Sequence, residues 1–181
     1  MEALRQDKKY TYTDILTWPE DERWELIDGV PFLMTQPSTA HERISMEISN
    51  QLYNFLKGKP CEVFTALGVH LSADDTYLVP DITVICDESK IDDKGCNGEP
   101  DLVMEIVSQS TMARDKVLKF NKYLSAGVRE YWIIDPNSKI VQINVLENGK
   151  YVSYAYDETG VVKVAVLDGC TISLPDVFAQ T

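Results

Sequence analysis

The sequence predicts a fold that combines α and β structure (α/β, α+β), with a hairpin near the N-terminus and an antiparallel meander near the C-terminus. Short stretches of alternating apolar residues indicate strands, and two longer stretches with apolar residues at helical spacing indicate helices. Between about residues 38 and 135 the order is helix, three strands, helix and strand. Helices that alternate with strands in this way pack against the faces of a sheet.

Length and composition favour one domain over residues 1–181. A chain of 181 residues with 44% hydrophobic content can bury a core without disulfides. The N-terminal segment is too polar for a signal peptide, and no apolar run approaches the roughly 18 residues of a membrane span, so we expect a cytoplasmic protein without membrane contact. No two cysteines have CxxC or metal-ligand spacing. We therefore expect reduced, mostly buried thiols at Cys61, Cys86, Cys96 and Cys170.

The charge is strongly acidic but unevenly distributed. A net charge of −12 argues against tight, indiscriminate binding to polyanions. Residues 61–111 contain eleven acids and two bases, whereas residues 112–129 contain five bases and one acid. A basic helix is more often solvated than bound to DNA. The five bases are Arg114, Lys116, Lys119, Lys122 and Arg129.

Two acidic residues lie within otherwise apolar strands. Glu105 has valines on its strand face. Asp81 shares the face of its own strand with Val79, Thr83 and Ile85. A carboxylate in such surroundings is costly to desolvate unless a cation is nearby. The two acids are 24 positions apart, and the intervening loop is long enough to bring their strands side by side. The pair predicts a metal site. A structural ion pair of Glu105 with Lys116 or Lys119, and an exposed Asp81 at a strand start, are the alternatives.

A short helix and a hairpin open the chain. Thr13 can cap a helix that runs through Leu16. Residues 24–34 predict a hairpin with its turn at Asp28 and Gly29, a pair that tolerates the positive φ of such turns.

A long amphipathic helix begins after Pro37. Thr39 and Glu42 have the spacing of a capping box, and apolar residues then recur on one face until Gly58. His41 lies at the inner edge of this helix. Strands are predicted at residues 62–71 and 78–85, and the polar segment 87–100 predicts a mobile loop.

A second long helix follows the strand of Glu105. Ser110 or Thr111 can cap it, and Gly127 marks its end. The predicted core stripe is Ala113, Val117, Phe120 and Leu124. The stripe beside it, able to reach the edge of a site, is Met112, Lys116, Lys119 and Tyr123.

The C-terminal part predicts only strands. A buried strand at residues 129–135 ends at Pro136. Three alternating segments after it predict the antiparallel meander, with turns at Asn148–Gly149 and Thr159–Gly160.

Several motifs extend from about Tyr12 to Phe178. They are ELIDG (25–29), His41, VPD (79–81), PDLVMEIVSQST (100–111), Asp115 with Lys119 and Tyr123, and GVREYWIIDP (127–136). With these motifs the chain resembles the PD-(D/E)xK nucleases, and most closely their Uma-type family of restriction endonucleases. The resemblance implies a restriction-endonuclease-like mixed sheet flanked by helices. It also implies a metal-dependent endonuclease acting on DNA, with Asp81 and Glu105 as ligands of Mg²⁺ or Mn²⁺.

The sequence departs from the superfamily pattern at Val107, where the ExK motif has its lysine. The Uma-type family resembles this chain in keeping a lysine on the following helix, where Lys119 stands here. In that position Lys119 would orient the attacking water or stabilise developing negative charge, and Lys116 is the other candidate for this role. His41 would be a secondary proton-transfer or phosphate contact, although a histidine at a helix start is more often a packing or capping residue. The expected contacts to DNA phosphates are Arg114, Lys116 and Lys122.

Two classes of function follow from the sequence. The first is an endonuclease, because hard divalent ions prefer carboxylate oxygens and phosphodiester hydrolysis needs such an ion. The second is a nuclease-fold binding or assembly module without catalysis, which the net charge of −12 favours. A homodimer would suit an enzyme that cuts both strands.

Overall fold

The structure, a computed structural model, describes residues 8–19, 21–71, 74–108 and 111–180. Within these ranges the helices are α1 (Tyr12–Ile15), α2 (Thr39–Leu56), α3 (Phe120–Ala126) and α4 (Leu174–Val177), with a 3-10 turn at Glu88–Lys90 and a π-helical segment at Arg114–Lys119. The strands are β1 (Trp24–Ile27), β2 (Val30–Leu33), β3 (Glu62–Thr65), β4 (Val69–His70), β5 (Tyr77–Leu78), β6 (Ile82–Ile85), β7 (Ile91–Asp92), β8 (Gly95–Asn97), β9 (Leu102–Ile106), β10 (Glu130–Asp135), β11 (Ile140–Glu147), β12 (Lys150–Tyr156), β13 (Val161–Lys163) and β14 (Thr171–Ser173). None of the described helices is both long and apolar enough to cross a bilayer.

Most of the described strands belong to two mixed sheets. The central sheet has the order β12-β11-β10-β9-β6-β3, in which β9 and β10 are parallel. The outer sheet has the order β2-β1-β5-β4-β8-β7, in which β4 and β8 are parallel. Strands β13 and β14 form a separate ribbon. The predicted mixed sheet with flanking helices is confirmed.

The two faces of the central sheet pack against different cores. Leu102, Met104 and Ile106 contact the core that α2, α4 and the β13–β14 ribbon cover. Val103 and Val107 belong to the core that the outer sheet and α3 cover. The prediction that Glu105 shares its strand face with valines is therefore confirmed, and this face points toward the outer sheet and α3.

Both N-terminal helices begin earlier than the sequence predicted. Thr11, not Thr13, caps α1 and forms a capping box with the residue three positions later. Ser38, not Thr39, caps α2, and its hydroxyl accepts the N–H of His41 at 3.2 Å. Neighbouring hydroxyl residues compete for these positions, and sequence spacing alone does not rank them.

The predicted hairpin of β1 and β2 is confirmed. Its turn falls at Asp28 and Gly29, with φ of 51° and 73°. The strands predicted at residues 62–71 and 78–85 are instead each divided between the two sheets. β3 and β6 pair in the central sheet, whereas β4 and β5 pair in the outer sheet. Ala66, with φ of 51°, and Pro80, which has no N–H to donate, lie at the two breaks.

The segment at residues 87–100 is ordered rather than an irregular loop. It contains the 3-10 turn and the β7–β8 hairpin, which extends the outer sheet. Asp92 stabilises the hairpin turn by accepting the N–H groups of Lys94 and Gly95. Polar composition concealed these short strands, because only Ile91 and Cys96 among their side chains pack against the core.

The buried face of the second long helix includes Lys119 and Tyr123 of the stripe that was predicted to flank the core, whereas Lys116 of that stripe is exposed. Asp115, Lys119 and Tyr123 are buried, while Val117 is 55% exposed and Ala113 is also exposed. The predicted core stripe is therefore wrong at these two positions. Ion pairs with Glu25 and Glu105 of the two sheets compensate the charge of Lys119. Asp115 lies 3.4 Å from the same ammonium. A π-helical segment also changes the spacing of the residues that share one face.

The helix ends at Gly127, with φ of 87°, as predicted. Of its two predicted caps, Ser110 lies outside the described residues. The hydroxyl of Thr111 accepts the N–H of Ser108 at 3.0 Å.

The predicted meander is confirmed for β10, β11 and β12, with the turn at Asn148–Gly149. The third segment departs from the sheet, because β13 pairs with β14 instead of β12. Glu130 connects this ribbon to the central sheet, since its carboxylate accepts the N–H of Val166 at 2.9 Å and the indole N–H of Trp132 at 2.6 Å.

Two of the four cysteines form a disulfide, contrary to the expectation of reduced thiols. Cys61 precedes β3 and Cys86 follows β6, and the antiparallel register places them opposite each other with Cα atoms 3.9 Å apart. A pairing across neighbouring strands leaves no short-range spacing in the sequence. Cys96 and Cys170 are free and buried, as predicted.

Candidate active site

A cleft beside the N-terminal half of α2 brings together the acids that the sequence singled out. Its volume is about 630 Å³, and α2, β1, the start of β6, the end of β9 and the π-helical segment contribute to its lining. Asp81 and Glu105 both line it, and so do His41 and Lys119. The four residues predicted to be catalytic therefore lie together.

Asp81 is held by a main-chain donor and a histidine. It lies directly before β6, and its side chain is 19% exposed. Its Oδ2 accepts the N–H of Ile106 at 2.6 Å, and its Oδ1 lies 3.0 Å from Nε2 of His41. Burial lowers the pKa of His41, but the hydrogen bond and charge of Asp81 outweigh burial, so the pKa is raised. The pair favours a charged imidazole beside a carboxylate.

Glu105 points from β9 into a buried polar cluster. Its Oε1 lies 2.8 Å from Nζ of Lys119 and accepts a hydrogen bond from the hydroxyl of Tyr123 at 3.0 Å. Burial raises the pKa of Glu105 well above its ordinary value, Lys119 opposes this rise, and the other acids of the cleft add to it. The site therefore disfavours ionisation of Glu105 beside the other carboxylates of the cleft.

Lys119 is the buried cation of this cluster. Its ammonium lies 2.7 Å from Glu25, 2.8 Å from Glu105 and 3.4 Å from Asp115. Burial alone would lower the pKa of Lys119, but the three carboxylates outweigh it and raise the pKa. The ion pair that the sequence left as an alternative for Glu105 is present, and its partner is Lys119 rather than Lys116.

Glu25 is the member of the site that sequence reasoning missed. It is fully buried on β1, where its Oε1 accepts the N–H of Val79 at 3.1 Å. Its Oε2 lies 3.7 Å from a guanidinium nitrogen of Arg114. The signal was present, because Glu25 also interrupts an apolar strand, in the run WELI. The sequence singled it out only as part of the ELIDG motif, because its hairpin precedes the core predicted at residues 38–135.

The three bases predicted to contact DNA occupy different environments. Arg114 lines the cleft, and its side chain is 17% exposed. Lys122 forms an ion pair with Asp28 on the hairpin turn. Lys116 is exposed and adds to the electrostatic field at Asp135, beside the cleft rim. Of the three, Lys116 is the one whose side chain is open to a phosphate.

The acids offer oxygen donors for a divalent ion without forming a complete coordination shell. Across the described ranges, no three His, Cys, Asp or Glu side chains are grouped so as to hold a metal ion. Mg²⁺ commonly takes one or two carboxylates and keeps several waters, so two carboxylates such as those of Asp81 and Glu105 would suffice for it. Glu25 Oε2 and Asp115 Oδ1 are buried and have no hydrogen-bond partner among the described residues, and cationic nitrogens of Arg114 and Lys119 lie 3.7 Å and 3.4 Å from them. This donor set suits Mg²⁺ or Mn²⁺.

The strand order and the position of the acids define the class of protein. An acid stands before β6, a second lies inside the adjacent β9, and helices flank the mixed sheet, as in restriction-endonuclease-like folds. The chain belongs to the Uma2 family, whose description is "Putative restriction endonuclease" and whose profile matches residues 12–175. The family that the motifs indicated is confirmed.

Cyanobacterial proteins are similar to this chain. "Uncharacterized protein slr1290" of Synechocystis sp. is 30% identical over 134 residues, which are 72% of this chain and 70% of that protein. "Uncharacterized protein sll1609" of the same organism is 28% identical over 63% of this chain and 67% of its own length. A crystal structure of "a putative nuclease belonging to DUF820" from Anabaena variabilis has a TM-score of 0.74 at 23% identity, and the match covers 93% of this chain and 97% of that one. The fold predicted from the sequence is confirmed.

Proposed function

We propose that the protein is an endonuclease that hydrolyses DNA phosphodiester bonds with Mg²⁺ or Mn²⁺. The observation that carries this proposal is the charge of the cleft. Four carboxylates that are buried or nearly so, those of Glu25, Asp81, Glu105 and Asp115, face two permanent cations, Lys119 and Arg114. Glu42 and Arg23 also line the cleft, but both are exposed and their charges cancel. The difference is two negative charges. The charged imidazole that Asp81 favours at His41 compensates one of them, and a bound divalent ion would neutralise the other. Membership of the Uma2 family supports the same function.

Each polar residue of the cleft has a separate role in this proposal. Asp81 and Glu105 would hold the ion. A bound Mg²⁺ or Mn²⁺ supplies charge neutralisation at the phosphate and lowers the pKa of water. The ammonium of Lys119 would stabilise negative charge that develops on the phosphoryl group. His41 remains hydrogen-bonded to Asp81, and its imidazolium would donate a proton or contact a phosphate oxygen.

Cleavage of supercoiled plasmid tests the proposal. We expect the wild-type protein to nick the plasmid in Mn²⁺ and to stop in EDTA. Asp81→Ala should lower the rate by about a hundredfold, because it removes a carboxylate and the partner of His41. Asp157→Ala, which removes an exposed acid of the β12–β13 turn, is the matched control and should cleave at the wild-type rate. Equal rates for wild type and Asp81→Ala would refute a role of this cleft in cleavage.

One observation favours a second candidate function. Lys119 already pairs with Glu105, so part of the negative charge of the cleft is neutralised without a metal ion. A nuclease-fold binding or assembly module that no longer cleaves DNA would retain this arrangement for stability. The net charge of −12 also fits such a module. In that case neither wild type nor any variant would cleave plasmid in Mg²⁺ or Mn²⁺.

A further inference from the structure

Glu25 reaches the cleft from outside the region that carries the other candidate residues. It lies on β1 of the N-terminal hairpin and is fully buried. The N–H of Val79, two residues before Asp81, fixes its Oε1. Its Oε2 is buried, lies 3.7 Å from a guanidinium nitrogen of Arg114 and has no hydrogen-bond partner in the described part of the chain. A buried carboxylate with one unsatisfied oxygen requires an explanation.

Lys119 lies between two acids at nearly the same distance. Its ammonium is 2.7 Å from Glu25 and 2.8 Å from Glu105. While the ammonium of Lys119 pairs with Glu105, it repels any other cation at that carboxylate, because like charges at contact distance repel strongly in a buried site. A divalent ion on Glu105 therefore requires that Lys119 interact with another acceptor. Glu25 is the nearer of the two remaining acceptors, at 2.7 Å against 3.4 Å for Asp115, and its backbone hydrogen bond keeps the carboxylate in place.

We propose that Glu25 is a positioning residue that holds the ammonium of Lys119 when Glu105 binds a divalent ion. The proposal rests on the proposed function, because it takes Asp81 and Glu105 as the ion's ligands. Glu25 would thereby let one lysine remain charged in the cleft without occupying the ion's own carboxylate. The arrangement accounts for a lysine that comes from the helix instead of from position 107.

A direct measurement of ion binding tests this role without nucleic acid. The probe is Mn²⁺, titrated by calorimetry into metal-free protein. Glu25→Gln should weaken Mn²⁺ affinity about tenfold, because Lys119 then stays on Glu105. Lys119→Met should bind Mn²⁺ at least as tightly as wild type, since the competing ammonium is absent. In the Lys119→Met background, Glu25→Gln should change the affinity less than about twofold.

The double variant separates positioning from simpler explanations. If Glu25 were itself an ion ligand, or acted only through its charge, Glu25→Gln would weaken Mn²⁺ binding equally in both backgrounds, and the proposal would fail. Glu42→Gln is the matched control, because Glu42 lines the same cleft with a side chain that is 62% exposed and does not contact Lys119. It should change the affinity about twofold at most. A loss as large as that of Glu25→Gln would also overturn the proposal.

A second variant keeps the proposal testable if Lys119→Met does not fold. Glu25→Asp preserves the charge but draws the carboxylate back by about 1.5 Å, one carbon–carbon bond. We expect it to lose Mn²⁺ affinity to the same extent as Glu25→Gln. Wild-type affinity in Glu25→Asp would overturn the positioning role. If wild type binds Mn²⁺ and Glu25→Gln binds it equally well, only this inference fails. If wild type binds no Mn²⁺, the metal dependence of the proposed function fails with it.

Discussion

Glu105 has a charge that opposes folding when no cation besides Lys119 is present. Burial raises its pKa, Lys119 lowers it, and Asp115, Asp81 and Glu25 raise it further. Removing the charge does not leave the ammonium unpaired, because Lys119 also contacts Glu25 and Asp115. The usual penalty for breaking a buried ion pair is therefore reduced at this position.

The substitution Glu105→Gln should raise the free energy of unfolding in EDTA by about 1 kcal/mol or more. Mn²⁺ should reverse the order, because an ion at a hundredfold excess over its dissociation constant adds about 2.7 kcal/mol to a folded state that binds it. Denaturation curves of both proteins in EDTA and in Mn²⁺ measure these differences. A variant less stable than wild type in EDTA would show that Glu105 is only a structural ion-pair partner.

The same comparison has a defined pH dependence. Because the folded-state pKa of Glu105 is raised above the ordinary value of 4.5, the folded state binds its proton more tightly than the unfolded state does. Wild-type stability from this group is therefore highest at low pH and falls as the pH rises from 4.5 through the folded-state pKa. The advantage of Glu105→Gln in EDTA should grow over that range.

Lys116→Ala should weaken DNA binding and leave folding unchanged. Its side chain is exposed, so the substitution removes a phosphate contact rather than a buried partner. We expect the slope of log K against log salt to decrease by about 1, the change for one lost phosphate contact. Binding measured by anisotropy at several salt concentrations gives the slope. Lys150→Ala on the distant edge strand β12 is the control, and equal slopes for the two variants would exclude Lys116 as a contact.

Single residues of the site were predictable where they broke a local rule. Asp81 and Glu105 stood out because they are acids in apolar strands. Glu25 breaks the same rule, but nothing local connects residue 25 to Lys119. Their contact depends on how the outer sheet folds against the central one, and neither alternation nor helical spacing contains that information.

At the scale of elements, strong local signals gave correct strands and turns. The hairpin at Asp28 and Gly29 and the end of α3 at Gly127 follow from backbone conformations that few residues adopt. The buried face of the second helix did not follow, because ion pairs placed Asp115 and Lys119 inside while Val117 stayed outside. Apolar periodicity identifies a core face only when that face is apolar.

The disulfide between β3 and β6 should stabilise the protein measurably. It joins Cys61 and Cys86, which are 25 residues apart in the sequence. Restricting a loop of this length in the unfolded chain contributes about 3 kcal/mol. Urea denaturation with and without reductant should show a loss of this size, and the Cys61→Ala/Cys86→Ala variant without reductant should match reduced wild type. Cys96→Ala should still respond to reductant, and identical wild-type curves under both conditions would argue against the bond.

At the scale of the whole molecule, the fold class and the family were predictable, whereas the relation between the sheets was not. Continuous alternation over residues 62–71 and 78–85 predicts extended chain, but it does not indicate which sheet each part joins. The breaks at Ala66 and Pro80 divide these strands. As a result, the cleft lies between the two sheets rather than at the edge of one.

The breaks at Ala66 and Pro80, where the chain passes from one sheet to the other, bear on how a nucleic acid could enter the cleft. Hinge closure needs a few residues that can change their backbone angles freely. Here the chain beside Asp81 is fastened on both sides, because Ala66 donates its N–H to the carbonyl of Asp81 at 3.1 Å and Val79 donates its N–H to Glu25. These two hydrogen bonds oppose a separation of the cleft walls at Asp81. Under the proposed function, a nucleic acid that bends easily would present its phosphate to such a cleft at a lower energetic cost than a stiff one.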